Sequence, residues 1–215
     1  MNCFNLLSQI PCFLIGNGPS LNNQNLKLIQ DYFSIGINRA FQITTPTITI
    51  WQDRSFWRTE RRGLSNSKTL KYCANIHPDA LKKHGVYGFK LYKGDFQHTT
   101  DTRILYGTGA TGPIAFQLAV AMGCNPIILL GMDCLYDGKK TNFYGTNRFH
   151  AGTMLEYCHN GLEWMYENTR DRHIINCSLN KLWKNTIIED AVKQIDDHWA
   201  LGIDLYQKLL TEQLR

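Results

Sequence analysis

Short apolar runs alternate with polar, helix-like segments along the chain, and this alternation is the strongest structural signal in the sequence. The clearest apolar runs are residues 12–16, 33–37, 47–51 and 126–130. Weaker strand candidates are residues 72–76, 86–92 and 173–177. Helical patterns cover residues 25–32, 113–122, 153–168 and 187–214. Strands that alternate with helices predict an α/β fold, here a Rossmann-like, mostly parallel sheet flanked by helices with a short lid segment.

Polar or glycine-rich residues follow the four clearest strands. Gly16-Asn17-Gly18 follows the first, Asn38 the second, Asp53 the third and Asp133 the fourth. The carboxyl ends of parallel strands meet at one edge of a sheet, where α/β proteins bind their ligands. We therefore expect these residues to lie on one rim.

The first glycine loop ends an apolar run and precedes Pro19 and Ser20, where a helical segment begins. Glycine at positions 16 and 18 permits a positive φ and lets a ligand approach the backbone without a Cβ in the way. The loop is therefore a candidate phosphate or nucleotide site. A tight turn between strand and helix explains the same residues, since glycine and asparagine favour turns.

A second glycine-rich loop, residues 107–112, opens the helix that contains Pro113. Its members Thr108, Gly109, Ala110, Thr111 and Gly112 are candidate ligand contacts. Unpaired N–H groups and the helix dipole could bind an anionic oxygen there. Capping of the helix by one of the threonines is the alternative. The first loop does not fit Gly-x-Gly-x-x-Gly, since Leu21 stands at its sixth place, and the P-loop lysine is absent, which argues against a Walker-type NTPase.

Side chains that could carry chemistry stand beside these loops. Asn38 and Asp53 could hydrogen-bond a base, a ribose or a sugar hydroxyl, or could cap local turns. Asp133, with Asp137, could meet a divalent metal held mainly by phosphates. His150 lies in a polar, aperiodic segment, about 136–150, that we interpret as a lid. A histidine there could act as a general base.

Composition limits the class of protein. With 215 residues, 43% of them hydrophobic and 19% charged, the chain fits one nucleotide-binding domain over residues 1–215. A net charge of +5 fits an anionic small-molecule substrate as well as nucleic acid, and the basic residues form no dense stripe, which makes nucleic-acid binding the weaker reading.

Seven cysteines, an odd number without a Cys-x-x-Cys pair, indicate neither a zinc site nor a disulfide framework. A reducing compartment is the expectation that follows. No apolar run reaches the roughly 18 residues of a membrane span, and we expect a cytoplasmic protein.

Four sequence features together resemble two related protein groups. They are Ile-Gly-Asn-Gly-Pro-Ser-Leu at 15–21, Gly-Ile-Asn-Arg-Ala-Phe at 36–41, a strand ending at Asp53, and Gly-(x)10-Gly-x-x-x-Ile-x-Leu-x-Gly-x-Asp from 112 to 133. One group is the bacterial sialyltransferases of the Campylobacter lipooligosaccharide type. The other is similar to the archaeal 6-hydroxymethylpterin diphosphokinase and includes flagellin-modifying motility accessory factors.

The resemblance implies a donor-nucleotide site. The residues it places there are Asn17, Gly18, Ser20, Asn38, Asp53, Ala110, Thr111 and Gly112. The sialyltransferases have an asparagine where this chain has Asp53, and the carboxylate resembles the diphosphokinase-like group. Their catalytic histidine stands in Tyr-x-x-His, whereas this chain reads Tyr144-Gly-Thr-Asn147, with His150 three residues later.

Three functional hypotheses follow. The first is a transferase, foremost a glycosyltransferase-like enzyme, with a nucleotide or nucleotide-sugar donor and a hydroxyl acceptor; His150, Asp53 and Asn38 are its catalytic candidates. The second is an ATP-dependent diphosphokinase of the 6-hydroxymethylpterin type, in which Asp53 and Asp133 would hold Mg²⁺. The third is a nucleotide-binding module without catalytic activity. Only the second implies a metal cofactor.

Overall fold

A parallel β-sheet organises the part of the chain that the computed structural model describes, residues 2–74, 84–107, 109–134, 140–145 and 151–214. The strands are β1 (Cys12–Ile15), β2 (Ser34–Ile37), β3 (Ile48–Trp51), β4 (Leu70–Ala74), β5 (Val86–Lys93), β6 (Ile104–Gly107), β7 (Ile127–Leu130) and β8 (Ile174–Asn176). The α-helices are α1 (Arg54–Asn66), α2 (Thr111–Ala121), α3 (Ala151–Asn168), α4 (Ile188–Lys193) and α5 (Ile203–Leu214). Short 3-10 helices cover Pro19–Asn23, Leu26–Ile29, Asn38–Gln42 and Asp197–Trp199.

The strand order of this eight-stranded sheet is β6-β5-β4-β3-β2-β1-β7-β8, and every pairing of neighbours is parallel. At the last residue of β1, Ile15 pairs with Gly36 on one side and with Leu130 on the other. The chain adds strands in one direction from β1 to β6 and then crosses back to place β7 on the other side of β1. The order reverses there, and such a switch point opens a crevice beyond the carboxyl ends of the two strands.

The central strands are buried on both faces, which explains their continuous apolar sequences. All four residues of β7, Ile-Ile-Leu-Leu, are completely buried. Helix α2 covers the sheet with Ile114, Phe116 and Leu118, none of which is exposed. Burial of each such side chain contributes about 1.5–3 kcal/mol. The apolar layers thus hold β1, β7 and α2, the elements whose ends form the site, in fixed positions.

The predicted α/β, Rossmann-like sheet is confirmed. Sequence reasoning missed β6, an edge strand of four residues that is only half-buried and follows a polar stretch. The helix expected over residues 25–32 is a 3-10 helix of four residues, Leu26–Ile29. No helix in the described residues is long and apolar enough to cross a membrane.

Candidate functional site

A cleft of about 220 Å³ lies at the carboxyl ends of β1 and β7. The residues that line it are Gly16, Asn17, Gly18, Ile37, Asn38, Asp53, Ala110, Thr111, Gly112, Gly131, Met132, Asp133, Cys134, Thr141, Asn142, Tyr144, Met154, Leu155 and Cys158. The two glycine loops and the residues after four strands therefore meet at one rim, as their positions in the sequence predict. Their roles toward a ligand stay predictions.

The first glycine loop is shaped by contact between the ends of β1 and β7. The N–H groups of Gly16 and Gly18 donate to the carbonyl oxygens of Leu130 and Gly131, both at 2.7 Å. A Cβ at Gly16 would lie 2.8 Å from the carbonyl carbon of Gly131. Neither Gly16 nor Gly18 has a positive φ; the value at Gly18 is −60°. Close approach of two backbones, rather than a left-handed conformation, therefore explains these glycines.

Asp133 holds the first loop in place from the end of β7. Its side chain is buried, with 1% of the residue exposed. Oδ2 accepts from the Ser20 N–H at 2.9 Å, and Oδ1 accepts from the Ser20 hydroxyl at 2.6 Å and from the Leu179 N–H at 2.9 Å. A Cβ at Gly18 would lie 2.5 Å from the Asp133 carboxyl carbon. Both carboxylate oxygens thus accept hydrogen bonds from other residues of the protein. Asp133 is therefore better suited to positioning these loops than to binding Mg²⁺.

Ser20 accordingly faces Asp133 and is not among the residues that line the cleft. The prediction that it contacts a nucleotide stays untested.

Two asparagines bring buried, unpaired oxygens to the cleft. Asn17 donates from Nδ2 to the Ile37 carbonyl at 2.9 Å, which ties the first loop to the end of β2. The Oδ1 atoms of Asn17 and Asn38 are buried and accept no hydrogen bond from the described residues. Asn38 also has a left-handed φ of 49°. A buried acceptor without a donor costs about 1–3 kcal/mol, so a ligand that donates to it recovers that free energy.

The N-terminus of α2 opens onto the same cleft without a side-chain cap. Its N-cap residue is Ala110, which cannot accept a hydrogen bond through its side chain, and the first turn carries no acidic residue. The N–H groups of the first turn therefore lack the partner that serine, threonine or aspartate usually supplies. An uncapped helix N-terminus favours an anionic oxygen.

Gln52 positions the second glycine-rich loop, at the start of α2. The sequence analysis did not predict this role for Gln52. Its Nε2 donates to the Gly109 carbonyl oxygen and to the Thr111 hydroxyl, the latter at 3.1 Å. Gly109 has a φ of 118°, a conformation that favours glycine. The contacts join the end of β3 to the start of α2. The available signal was the place of Gln52 directly before Asp53, at the carboxyl end of a predicted strand.

A buried polar cluster behind the rim was also missed. The Ser178 hydroxyl accepts from the Met132 N–H at 2.8 Å, and Asn180 donates from Nδ2 to the Met132 carbonyl at 3.2 Å. Asn176 donates to the Asn180 carbonyl at 3.1 Å. These bonds fix the loop after β7 against the loop after β8. Single polar residues scattered over residues 176–180 gave no spacing from which to predict this.

Asp53 lies at the rim, where it is the N-cap residue of α1 and is exposed. It lines both the cleft and an adjoining groove that Ser55, Phe56 and Thr59 also line. No cluster of three or more His, Cys, Asp or Glu side chains suited to a metal ion occurs within the described ranges. The Mg²⁺ site predicted for the diphosphokinase reading stays a prediction.

Residues 140–145, which we name the cover, lie over the first loop. The Phe143 N–H donates to the Asn17 carbonyl at 2.7 Å, and the ring of Tyr144 contacts the Arg39 guanidinium, 4.7 Å from the ring centroid. Arg39 is also paired with Glu60 at 2.8 Å. Burial raises the pKa of Tyr144; Arg39 acts against this rise and Glu60 adds to it. The phenol of Tyr144 is therefore protonated at neutral pH and is available as a donor at the cleft.

A disulfide between Cys134 and Cys158 also borders the cleft, a single pairing that the sequence analysis did not predict. It was missed because the partners are 24 residues apart in sequence and meet only when α3 packs beside the end of β7. Their Cα atoms are 5.9 Å apart. The other five cysteines are buried thiols. Three predicted site residues, Thr108, Asp137 and His150, lie outside the described residues, as does most of the predicted lid.

Comparison with known proteins gives a family and a fold. Residues 2–139 match the sequence profile of a family described as 6-hydroxymethylpterin diphosphokinase MptE-like. No curated protein matches the chain. Among solved structures, the Maf glycosyltransferase from Magnetospirillum magneticum AMB-1 is similar at 14% identity and a TM-score of 0.58 over 96% of this chain. The chain spans 40% of the length of that enzyme.

The sialyltransferase CstII from Campylobacter jejuni is a more distant match. Its complex with CMP-3FNeuAc matches at 11% identity and a TM-score of 0.44, over 78% of this chain and 81% of that one. Its complex with cytidine-5'-monophosphate matches at 13% identity and a TM-score of 0.41, over 78% and 79%. The family match confirms the resemblance to the group that is similar to 6-hydroxymethylpterin diphosphokinase, and the likeness to Maf shows a shared fold. The fold is glycosyltransferase-like.

Proposed function

We propose, from the premise that the chain belongs to the 6-hydroxymethylpterin diphosphokinase MptE-like family, that its cleft binds a nucleotide-activated donor. The protein would then be a transferase that moves the activated group onto a hydroxyl acceptor. Glycosyl transfer is the first candidate reaction, in keeping with the glycosyltransferase-like fold. The chain spans 40% of the length of the Maf enzyme, and the proposal therefore concerns the cleft of this chain and not the rest of that enzyme.

One observation carries the proposal: the cleft offers two kinds of unsatisfied polar group side by side. The buried Oδ1 atoms of Asn17 and Asn38 require donors, and the first turn of α2 requires an acceptor. A nucleotide supplies both, since its ribose hydroxyls and base amino groups donate and its phosphate oxygens accept. A neutral apolar ligand would leave both sets unpaired, at a cost of about 1–3 kcal/mol for each buried group.

The same arrangement suits the transfer step. A phosphate bound at the N-terminus of α2 stabilises the negative charge that develops on the leaving nucleotide. The cover, with Tyr144 over the cleft, would exclude water from the transferred group. Asn38 and Asp53, at the rim, would orient the donor and the acceptor. His150 remains our proposed general base for the acceptor hydroxyl.

A second candidate reaction is diphosphoryl transfer from ATP to a pterin-like alcohol. The description of the family favours it, and so does a carboxylate, Asp53, at the rim of the cleft. In this reaction Mg²⁺ would neutralise the charge on the transferred phosphates. Asp53 would hold the ion, while Asp133 keeps the first loop in place through its three hydrogen bonds.

Identification of the released nucleotide tests the proposal and separates the two reactions. The purified protein is incubated with CMP-, UDP- and GDP-sugars or with ATP and Mg²⁺, together with saccharide and pterin alcohols, and the products are resolved by ion-pair chromatography. Glycosyl transfer releases CMP, UDP or GDP and forms a glycoside. Diphosphoryl transfer gives Mg²⁺-dependent AMP. Saturable binding without any product would support the inactive module, and neither binding nor product would refute the proposal.

A further inference from the structure

The disulfide joins two segments that both line the cleft. Cys134 directly follows Asp133 at the end of β7 and has a left-handed φ of 50°. Cys158 lies in α3, which also brings Met154 and Leu155 to the cleft. A Cβ at Gly112, in the α2 loop, would lie 3.4 Å from the Cys158 sulfur. The bridge therefore stands beside the α2 N-terminus that we assign to the phosphate.

The same bridge closes a chain segment that contains the cover. Residues 134 and 158 are 24 positions apart, and the cover, residues 140–145, lies between them. Phe143 joins the cover to the first glycine loop by its hydrogen bond to Asn17. A cross-link restricts the conformations of the segment that it closes. Cleavage of the bridge would remove this restriction and leave the Phe143 hydrogen bond to hold the cover on the first glycine loop.

Access to solvent separates this pair from the other cysteines. Cys134 and Cys158 are partly exposed, whereas Cys3, Cys12, Cys73, Cys124 and Cys177 are buried. Burial raises the pKa of Cys177 to about 12, so that this group is a thiol and a poor nucleophile at neutral pH. Small redox-active molecules that enter the cleft therefore meet the pair Cys134–Cys158 and no other described cysteine.

We propose that Cys134 and Cys158 form a reversible thiol–disulfide switch that controls how tightly the cover closes the cleft. The co-reactant is a small disulfide such as oxidised glutathione. One protein thiolate attacks a sulfur of this molecule and releases one glutathione thiolate; the second protein thiolate then attacks the mixed disulfide and releases the other. Two protein thiols lose two electrons and two protons, and one glutathione disulfide becomes two glutathione thiols. An excess of reduced glutathione reverses both steps.

A redox titration of the full chain tests the switch without reference to the proposed function. The protein is equilibrated at a series of reduced to oxidised glutathione ratios, quenched with acid, alkylated and analysed by peptide mass spectrometry. We expect the peptides of Cys134 and Cys158 to change from thiol to disulfide together, in one transition, while the five buried cysteines stay thiols. A pair that is fully reduced or fully oxidised at every ratio would overturn the proposal.

Hydrogen exchange then tests the effect on the cover. In the reduced protein we expect the N–H of Phe143 to exchange on the order of tenfold faster than in the oxidised protein. Cys134→Ser and Cys158→Ser should exchange at the fast rate in both buffers. Cys3→Ala, remote from the cleft, is the matched control and should keep the difference. Equal exchange in the two redox states would refute control of the cover.

The part of this inference that concerns the ligand rests on the proposed function. CMP and ATP serve as probes, and we expect the affinity of the one that binds to differ between the oxidised and the reduced protein. If neither binds in either state, the proposed function fails, while the titration and the exchange measurement still decide the switch.

Discussion

Asn38 combines an unusual backbone with an unpaired side-chain oxygen, and the two properties can be separated by mutation. Its φ of 49° is a conformation that glycine adopts freely and alanine does not. Its Oδ1 is buried without a donor among the described residues, although the residue stands at the start of a 3-10 helix where such an oxygen could have been used locally. We interpret this oxygen as reserved for a ligand.

Asn38→Gly should therefore weaken nucleotide binding about tenfold, the value of one hydrogen bond, because it removes the oxygen. Its free energy of unfolding should stay within about 1 kcal/mol of the wild type, because glycine keeps the backbone. Asn38→Ala is the matched comparison and should lose a further 1–2 kcal/mol or so. Calorimetric titration and urea unfolding measure the two effects. Unchanged affinity in both variants would contradict the assignment.

Asp133 represents the opposite case, a polar side chain at the cleft whose hydrogen bonds are made within the protein. Asp133→Asn replaces one of its acceptor oxygens by a donor that faces an N–H or O–H group. We expect a loss of about 2–3 kcal/mol in the free energy of unfolding. Ser20→Ala removes only the 2.6 Å hydrogen bond and should lose about 1 kcal/mol. Equal stability of Asp133→Asn and the wild type would show that the carboxylate does not hold the loop.

Among the secondary-structure elements, α2 has an N-terminus that lacks a stabilising side-chain cap, and we attribute this lack to its proposed role in binding phosphate. A capping side chain would stabilise the helix, and Ala110 provides none. We expect Ala110→Ser to raise the free energy of unfolding by about 0.5–1 kcal/mol, because its hydroxyl can accept from the Gly112 N–H. The same variant should bind the nucleotide about tenfold more weakly, because that N–H then has a competing partner. Stabilisation with unchanged affinity would remove this helix end from the phosphate site.

Helix α3 packs closely against α2 beside the cleft. A Cβ at Gly161 of α3 would lie 2.6 Å from Pro113 Cβ and 2.8 Å from a ring carbon of Phe96. Gly161→Ala should therefore lose about 1–3 kcal/mol of stability through overpacking, although alanine favours helices. Gly63→Ala, at an exposed position of α1, is the control and should stay within about 1 kcal/mol of the wild type. Thermal unfolding compares the two; equal melting temperatures would contradict the close contact of α2 and α3.

At the scale of the whole molecule, the fold was more predictable than the site. Strands such as β7 are apolar at every position, so their burial in a parallel sheet could be read directly. The rule that parallel strands end at one edge then placed Asn17, Asn38, Asp53 and Asp133 together. The half-buried edge strand β6 gave no such signal.

The features of the site that were missed depend on contacts distant in sequence. Gln52 reaches Gly109 and Thr111 across the ends of two strands, and Cys134 meets Cys158 only through the packing of α3. Neither pairing follows a spacing that local sequence reveals. Whether the chain is one domain stays a prediction, as do the roles of the site residues.

We infer that the rim between β1 and β7 holds a nucleotide, and an amide-resolved NMR titration with CMP and with ATP decides whether it does. We expect saturable shifts of the backbone N–H signals of Gly18, Thr111 and Gly112 with at least one of the two nucleotides. Residues 97–100, which line a separate cavity, should not respond. Saturable shifts confined to residues 97–100, or no saturable shift with either nucleotide, would contradict the claim.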